Sequence, residues 1–544
     1  MLHTWSFKDK NPIFKFFDLR FSVQIFTDTN RYDLDENKCI VIQDENTFEL
    51  KCSGLQWAGG QVDDAGECYM LVKKNEDTYT FDLKVGKNEF VKKVKVLLYD
   101  QPLGDVVARR RYDVTINEIG NIFRYPNGWD DLFTPLISIK NENQIRYYRS
   151  LDGVVRPKTF MVQKIGDSSI VEMIFEESAM EPKYELEVPT WEVGNCSSVE
   201  EIFEKQRHLI EKQYNLKTWE EREDVPNWAR KISLVLSIHA MHWSGYIFNN
   251  YQDIINKLEW FAQYIDPSEV LVYIPGFDGR YYYKYSDYTP DERLGGEEGL
   301  KRLVDKAHEL GYHLMPMFMI NGANPKCEGF DVWGTPSVYR TSNGYNRGVG
   351  SCDWDTSRGY DLGCGIGLNP GAPLWQDHFV EEACYQIEKY NFDAIFLDLA
   401  AIYINDPLHS THDGAVSIIN RIHEKFPHLL ISTEGWYDAL STVFPFSQCA
   451  GMESLHGEMI YHDTPYAKFF DEYNRCFGHL CLGDLAGGKN GVFEWGVNLA
   501  ERTLPVRKGI VPTLTILDDT ISLAKDEIIK ALELSKEYKN KFLK

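Results

Sequence analysis

Along residues 1–190 apolar and polar positions alternate. TYTFDLKV (78–85), VKVLLYD (94–100), RYDVTI (111–116) and KYELEV (183–188) follow a period of two, with Gly, Asn and Asp between them. Helical periodicity is nearly absent there, so the pattern predicts a β-sandwich domain packed on whatever follows. At NCSSVEEIFEKQRHLIEKQY (195–214) the period changes. Ser198 and Glu201 make a capping-box signature, and Ile202, Leu209 and Ile210 form one apolar stripe. This helix and the stretch to residue 228 are the expected connection between two domains.

From residue 229 to 544 the pattern becomes strand, then helix, repeatedly. Apolar strand runs are expected at 231–243, 269–278, 313–325, 393–400, 428–436, 447–454, 479–487 and 509–517. Amphipathic helices fall between the earlier ones; in EEGLKRLVDKAHELGY, Leu300, Leu303, Val304 and Ala307 share a face and Gly311 supplies the stop. Runs this apolar imply a parallel sheet covered on both faces. Eight such units predict a (β/α)8 TIM barrel with an N-terminal β-sandwich domain, an open doubly wound sheet being the alternative. A Gly-, Ser- and Asp-rich insertion at 326–367 is expected to form a lid.

Composition narrows the function. The chain has 544 residues, 43% hydrophobic and 14% aromatic, so it is globular. A formal charge of −24 argues against a nucleic-acid or anionic-membrane partner. The N-terminus reads as lacking a signal peptide, and no stretch of 18 apolar residues predicts a membrane span. The 11 cysteines include no CxxC pair and read as reduced thiols, which places the protein in the cytoplasm. No GxGxxG or GxxxxGKS/T sequence opens a helix after a strand, so no cofactor is expected. DTNRYDLDENK (28–38) imitates a calcium loop, but Lys38 and Asp44 stand where glycine and glutamate are needed, and a solvated turn is expected.

Barrel chemistry sits at the C-terminal ends of the strands. Those positions hold His239, His242, Asp278, Asn321, Asp398, Glu434, Glu453 and Asp484. In FDAIFLDLA, Ala394, Phe396 and Asp398 share one face, as do Leu430, Ser432 and Glu434 in the next strand. Adjacent strands lie ~4.8 Å apart, so Asp398 and Glu434 are expected to meet at the separation of about 5–5.5 Å that retaining glycosidases use. Trp243, Tyr281, Tyr282, Tyr283, Trp436 and Tyr437 supply rings that suit the apolar faces of sugars, and Asp278 and Asn321 suit hydroxyl groups. Asp353 and Trp354 of the insertion, with Glu453 and His456, complete the expected substrate contacts.

"FDAIFLDLA" followed by "LLISTEGWYD", with "LNPGAPLWQDHFVEEACYQIEKYNFD" leading in, resembles the retaining α-glycosidase barrels. It is most similar to the endo-α-N-acetylgalactosaminidase-like families, distant relatives of the α-amylase superfamily. The resemblance spans residues 230–520 and implies Asp398 as nucleophile and Glu434 as acid/base. Phe396 stands where the α-amylase pattern has arginine, MINGANP replaces its third-strand Asn-His ending, and no His-Asp pair marks the seventh strand; these departures argue against α-amylase activity. The α-galactosidase-like barrels take their acid from the sixth strand, which nominates Glu453, so both glutamates stay open. The appendages and secretion signal of mucin-degrading enzymes are missing, which favours an exo-acting enzyme on imported oligosaccharides. A carbohydrate is the expected partner, and a homo-oligomer is left open.

Two other classes compete. Metal-dependent amidohydrolase barrels carry His and Asp at strand ends, but they use His-x-His where this chain has His239-Ala-Met-His242; His409, His412 and Glu453 with His456 are the other candidate ligands, and no HExxH exists. A catalytically inactive carbohydrate-binding protein is the third reading.

Overall fold

The computed structural model describes residues 11–108, 114–127, 132–242, 245–279, 285–346, 366–450, 464–478, 496–497, 506–518, 520–523 and 525–543. The chain divides into two compact units. One comprises residues 1–215 with 405–407 and 437–439; the other comprises 216–404, 408–436 and 440–544.

The first unit is built on a 17-stranded sheet whose described pairings are antiparallel. Its spine is Thr78–Gln101, one strand of 24 residues where the alternation suggested two. The backbone stays extended through Gly86–Lys92 while the partners change. The first half pairs with Glu67–Asn75 and Lys183–Cys196, the second with Leu19–Thr27 and Ser168–Glu176. The inward side chains meet as edge-on rings, Phe21 lying 5.2 Å from Phe48 and 5.6 Å from Phe81.

The helix Val199–Tyr214 falls within this unit. Ser198 caps it, its Oγ accepting from the Glu201 N–H at 3.1 Å, but Glu201 reaches back to Ser197 and not to Ser198. The calcium-like stretch is not a solvated turn. Asp33 is buried in the strand Arg31–Leu34, accepting from Gln24 Nε2 at 2.9 Å, and Asp35 caps a short 3-10 helix.

The second unit holds the barrel. Its strands are β1 (Leu234–Ile238), β2 (Val270–Ile274), β3 (His313–Met319), β4 (Ala394–Asp398), β5 (Leu430–Glu434), β6 (Phe446–Ala450), β7 (Arg475–Gly478) and β8 (Ile510–Val511 with Thr513–Ile516). Pro512, which has no N–H to give to a ladder, breaks β8 in two. The break is also where the strand changes neighbours: Ile510 and Val511 pair with β7, Thr513–Ile516 with β1. All these pairings are parallel and the ring of strands closes, which excludes the open sheet. The expected seventh strand, 479–487, begins where the observed one ends, and residues 479–495 lie outside those described.

Helices Tyr251–Phe261, Gly296–Leu310, Pro373–Tyr390 and Thr411–Lys425 separate the early strands. The stripe on Gly296–Leu310 is buried as expected, and Gly311 ends that helix in the left-handed region at φ 101°. Among the described residues no helix is long and apolar enough to cross a membrane.

Candidate active site

The barrel interior is floored by aromatic rings. Tyr273 of β2 lies 4.7 Å from Phe396 of β4, and Phe477 of β7 stacks on Phe446 of β6 at 5.1 Å and 17°. Phe396 therefore points inward, so Asp398, two residues further along the same strand, does too. Register sets the next layer. Met319 is level with Asp398, Leu397 with Thr433, and Glu434 with Gln448, so Met319, Asp398, Glu434 and Gln448 form one rung across β3–β6 at the barrel mouth.

The two carboxyls on this rung touch. Asp398 is buried, and a side-chain hydrogen bond joins it to Glu434. The Glu434 Oε2 also accepts from the Leu399 N–H at 3.0 Å. Burial drives the Glu434 carboxyl above its ordinary value, against the opposing pull of those two hydrogen bonds.

Leu399 is the hinge of the arrangement. Its φ of 57° lies in the left-handed region, which a bulky residue adopts only where the surroundings hold it. That turn aims its N–H at Glu434 and its carbonyl at Asn321, whose Nδ2 donates at 2.7 Å. Asn321, expected to contact substrate, is thus committed on one side to the residue following Asp398. Its Oδ1 has no partner among the described residues.

Other strand ends converge on the same mouth. His239 follows β1 on the inward face set by Ser237, which is level with Tyr273. Both of its ring nitrogens are buried without a partner among the described residues, and burial, with the charge of nearby His242, holds its pKa down to about 3. The ring is therefore neutral. His239 and His242 do not diverge as strand alternation implies, because β1 ends at Ile238; both rings approach Phe248, at 6.4 and 5.8 Å. Asp278 is fully buried in the loop after β2. That loop passes so close to the segment after β1 that a Cβ on Gly276, at φ +65°, would press on the Met241 carbonyl oxygen.

Trp436 corrects the sequence reading. Its ring is fully buried among Tyr466, Phe469 and Phe470, and its Nε1 donates to Ser441 Oγ at 3.0 Å. No face is left for a sugar; the residue anchors the loop after β5. Tyr437 is likewise buried. The insertion after β3 rests on a two-stranded ladder, Gly322–Ala323 against Ile366–Gly367, and Trp333 stacks on His378 at 3.9 Å. Trp243, Tyr282, Asp353, Trp354, Glu453 and His456, and the lid expected around 353–355, lie outside the described residues. Gln448 was not singled out in the sequence; counting the rungs from Glu434 finds it. Among the described residues no three His, Cys, Asp or Glu side chains gather as a metal-binding group.

No family model matches the chain. Among solved structures it is similar to the α-N-acetylgalactosaminidase NagBb from Bifidobacterium bifidum, with a TM-score of 0.65 at 12% identity over 98% of this chain and 94% of that one. It is also similar to the α-galactosidase AgaA from Geobacillus stearothermophilus in complex with raffinose, with a TM-score of 0.51 at 12% identity over 97% and 74% of the two chains. The galactosidase domain of the α-galactosidase-sucrose kinase AgaSK matches with a TM-score of 0.52 at 14% identity, over 96% and 72%. At these identities the likeness establishes the shared fold, a (β/α)8 barrel with an antiparallel N-terminal domain.

Proposed function

We propose that this chain is a retaining glycoside hydrolase acting on α-linked oligosaccharides or glycoconjugate sugars, with residues 229–544 as its catalytic domain and 1–190 as an accessory sandwich. The observation that carries the reading is the hydrogen-bonded pair Asp398–Glu434 on one rung of the barrel mouth. Inverting enzymes hold their carboxyls about 6.5–9.5 Å apart to admit a water, and retaining ones about 5–5.5 Å apart. Carboxyls that share a hydrogen bond fit the shorter spacing.

In this reading the Asp398 carboxylate attacks the anomeric carbon from below. Glu434, kept protonated by burial, gives its proton to the departing oxygen as the glycosidic bond breaks. Glu434 then takes a proton from water, whose oxygen displaces Asp398, and two inversions give net retention. The neutral His239, Asp278 and the Oδ1 of Asn321, which has no partner among the described residues, supply hydroxyl contacts. The names of the similar structures favour a terminal galactose or N-acetylgalactosamine. Trp243, Tyr282, Asp353, Trp354 and His456 are assigned to substrate on the sequence reading, and Glu453 is the competing acid. The reading places the enzyme in the cytoplasm.

The test is a panel of aryl α- and β-glycosides, with the first-formed anomer read by NMR. Hydrolysis of an α-galactoside or N-acetyl-α-galactosaminide to the α-anomer supports the reading. A first-formed β-anomer, or cleavage of β-glycosides alone, overturns it.

A further inference from the structure

The cysteines that read in the sequence as reduced thiols are not evenly scattered in the fold. Cys39 is directly opposite Cys52 in the antiparallel pair Cys39–Gln43 with Thr47–Cys52, and Cys52 is directly opposite Cys68 on the next strand. Three thiols therefore stand in a row across three adjacent strands. The first two are in contact, Cys39 Sγ lying 2.9 Å from Cys52 Sγ. Both are free thiols here. Directly opposed residues in such a ladder have Cα atoms roughly 4.5–5.5 Å apart, inside the ~4.4–6.8 Å window a disulfide spans. Bond formation thus needs side-chain rotation and no backbone movement.

The pair is not sealed in the core. Cys39 is half-buried and is the member a reagent can reach, whereas Cys52 and Cys68 are buried on the inner face of the sheet. The three thiols are thus unequal: Cys39 is the most exposed one, Cys52 touches it from the buried side, and Cys68 is buried one strand further on, where burial pushes its thiol up.

We infer that Cys39 and Cys52 form a reversible thiol–disulfide site that takes low-molecular-weight disulfides of the glutathione class. The Cys39 thiol, the more exposed member, attacks as its thiolate one sulfur of the reagent, forming a mixed disulfide and releasing one thiolate. Cys52 gives up its proton to that thiolate and attacks the Cys39 sulfur, so that the second reagent thiolate leaves and takes a proton from water or buffer. The protein loses two thiol hydrogens and two electrons, and the reagent disulfide becomes two thiols. The product staples the outer strand Cys39–Gln43 to its neighbour. Its place in the N-terminal unit makes it independent of the glycosidase reading.

The test uses the full chain, reduced, desalted and equilibrated with glutathione disulfide and glutathione at graded ratios. Free thiols are blocked in acid, and linked peptides are mapped by proteolysis and fragmentation. The expected product is a single Cys39–Cys52 link, reversed by dithiothreitol, with native alkylation of Cys39 at least about tenfold faster than of Cys68. Cys52→Ser should leave a stable mixed disulfide on Cys39. A Cys52–Cys68 link overturns the assignment. So does the absence of any link in the unmodified chain while Cys39 and Cys52 remain open to alkylation, a result that holds whether or not the variant folds.

Discussion

Leu399 donates its backbone N–H to the Oε2 of Glu434 at 3.0 Å, and it does so from the left-handed conformation. One residue after Asp398, the backbone thus fixes the partner carboxyl, while Asn321 holds the same turn by its carbonyl at 2.7 Å.

Asn321→Ala should therefore loosen the pair without removing either carboxyl. Losing this buried hydrogen bond costs about 1–3 kcal/mol of stability. Turnover should fall about tenfold or more, with a smaller change in KM for an aryl glycoside. Steady-state kinetics with chemical denaturation separate the two effects. An unchanged kcat would show that the turn does not set the geometry.

Glu434→Gln should lose roughly 10²–10⁴-fold in kcat for substrates with poor leaving groups and less for nitrophenyl glycosides, which need little protonation. The sign of the pH effect follows from its raised carboxyl. Glu434 must be protonated to act, so activity falls as pH rises through its elevated value, and the Gln variant should lack that alkaline limb. A pH profile of kcat for both proteins checks it. If Glu453→Gln removes the limb instead, the acid belongs to the sixth strand.

At the opposite end of the barrel, Asp393 accepts from His308 Nε2 at 2.9 Å, from His313 Nδ1 at 3.3 Å and from the Leu314 N–H at 2.9 Å. Despite burial, these bonds hold the Asp393 carboxyl down at about 2, and the carboxylate raises His308 above 6.5. The Asp393 contribution, about 2 kcal/mol, is present above its unfolded value of 3.8 and is lost as pH falls toward 2. The His308 contribution is present below 6.5 and is lost as pH rises through its raised value. Asp393→Asn should flatten both limbs of Tm against pH; retained limbs would place the titration elsewhere.

The architecture was legible because its signals are local. Alternation marked the N-terminal strands, helical periodicity gave the first barrel helices, and FDAIFLDLA placed Asp398 two residues beyond an inward Phe396. What escaped depends on packing. Nothing in GWYDAL says that Trp436 turns into an aromatic cluster instead of over the mouth. Nothing in LDLA announces that Leu399 adopts φ 57° and commits Asn321. The thiol row was invisible because Cys39, Cys52 and Cys68 are related by sheet register, not by spacing.

Gly276→Ala tests how tightly the loop carrying Asp278 is seated. A Cβ there meets the Met241 carbonyl oxygen and a φ of +65° that side chains resist. The substitution should destabilise the protein by about 3 kcal/mol or more, visible as a lowered midpoint in denaturant. A change under about 0.5 kcal/mol would mean the two loops separate freely.

Trapping of the covalent intermediate identifies the nucleophile, Asp398 in the mechanism proposed above. The enzyme is incubated with a fluorinated α-galactosyl or N-acetyl-α-galactosaminyl reagent that slows release of the covalent intermediate, then digested and sequenced by mass spectrometry. One glycosyl ester is expected, on the peptide containing FDAIFLDLA and at Asp398, absent from Asp398→Asn. An adduct on any other carboxylate, or turnover of the parent substrate that persists undiminished in Asp398→Asn, would contradict that assignment.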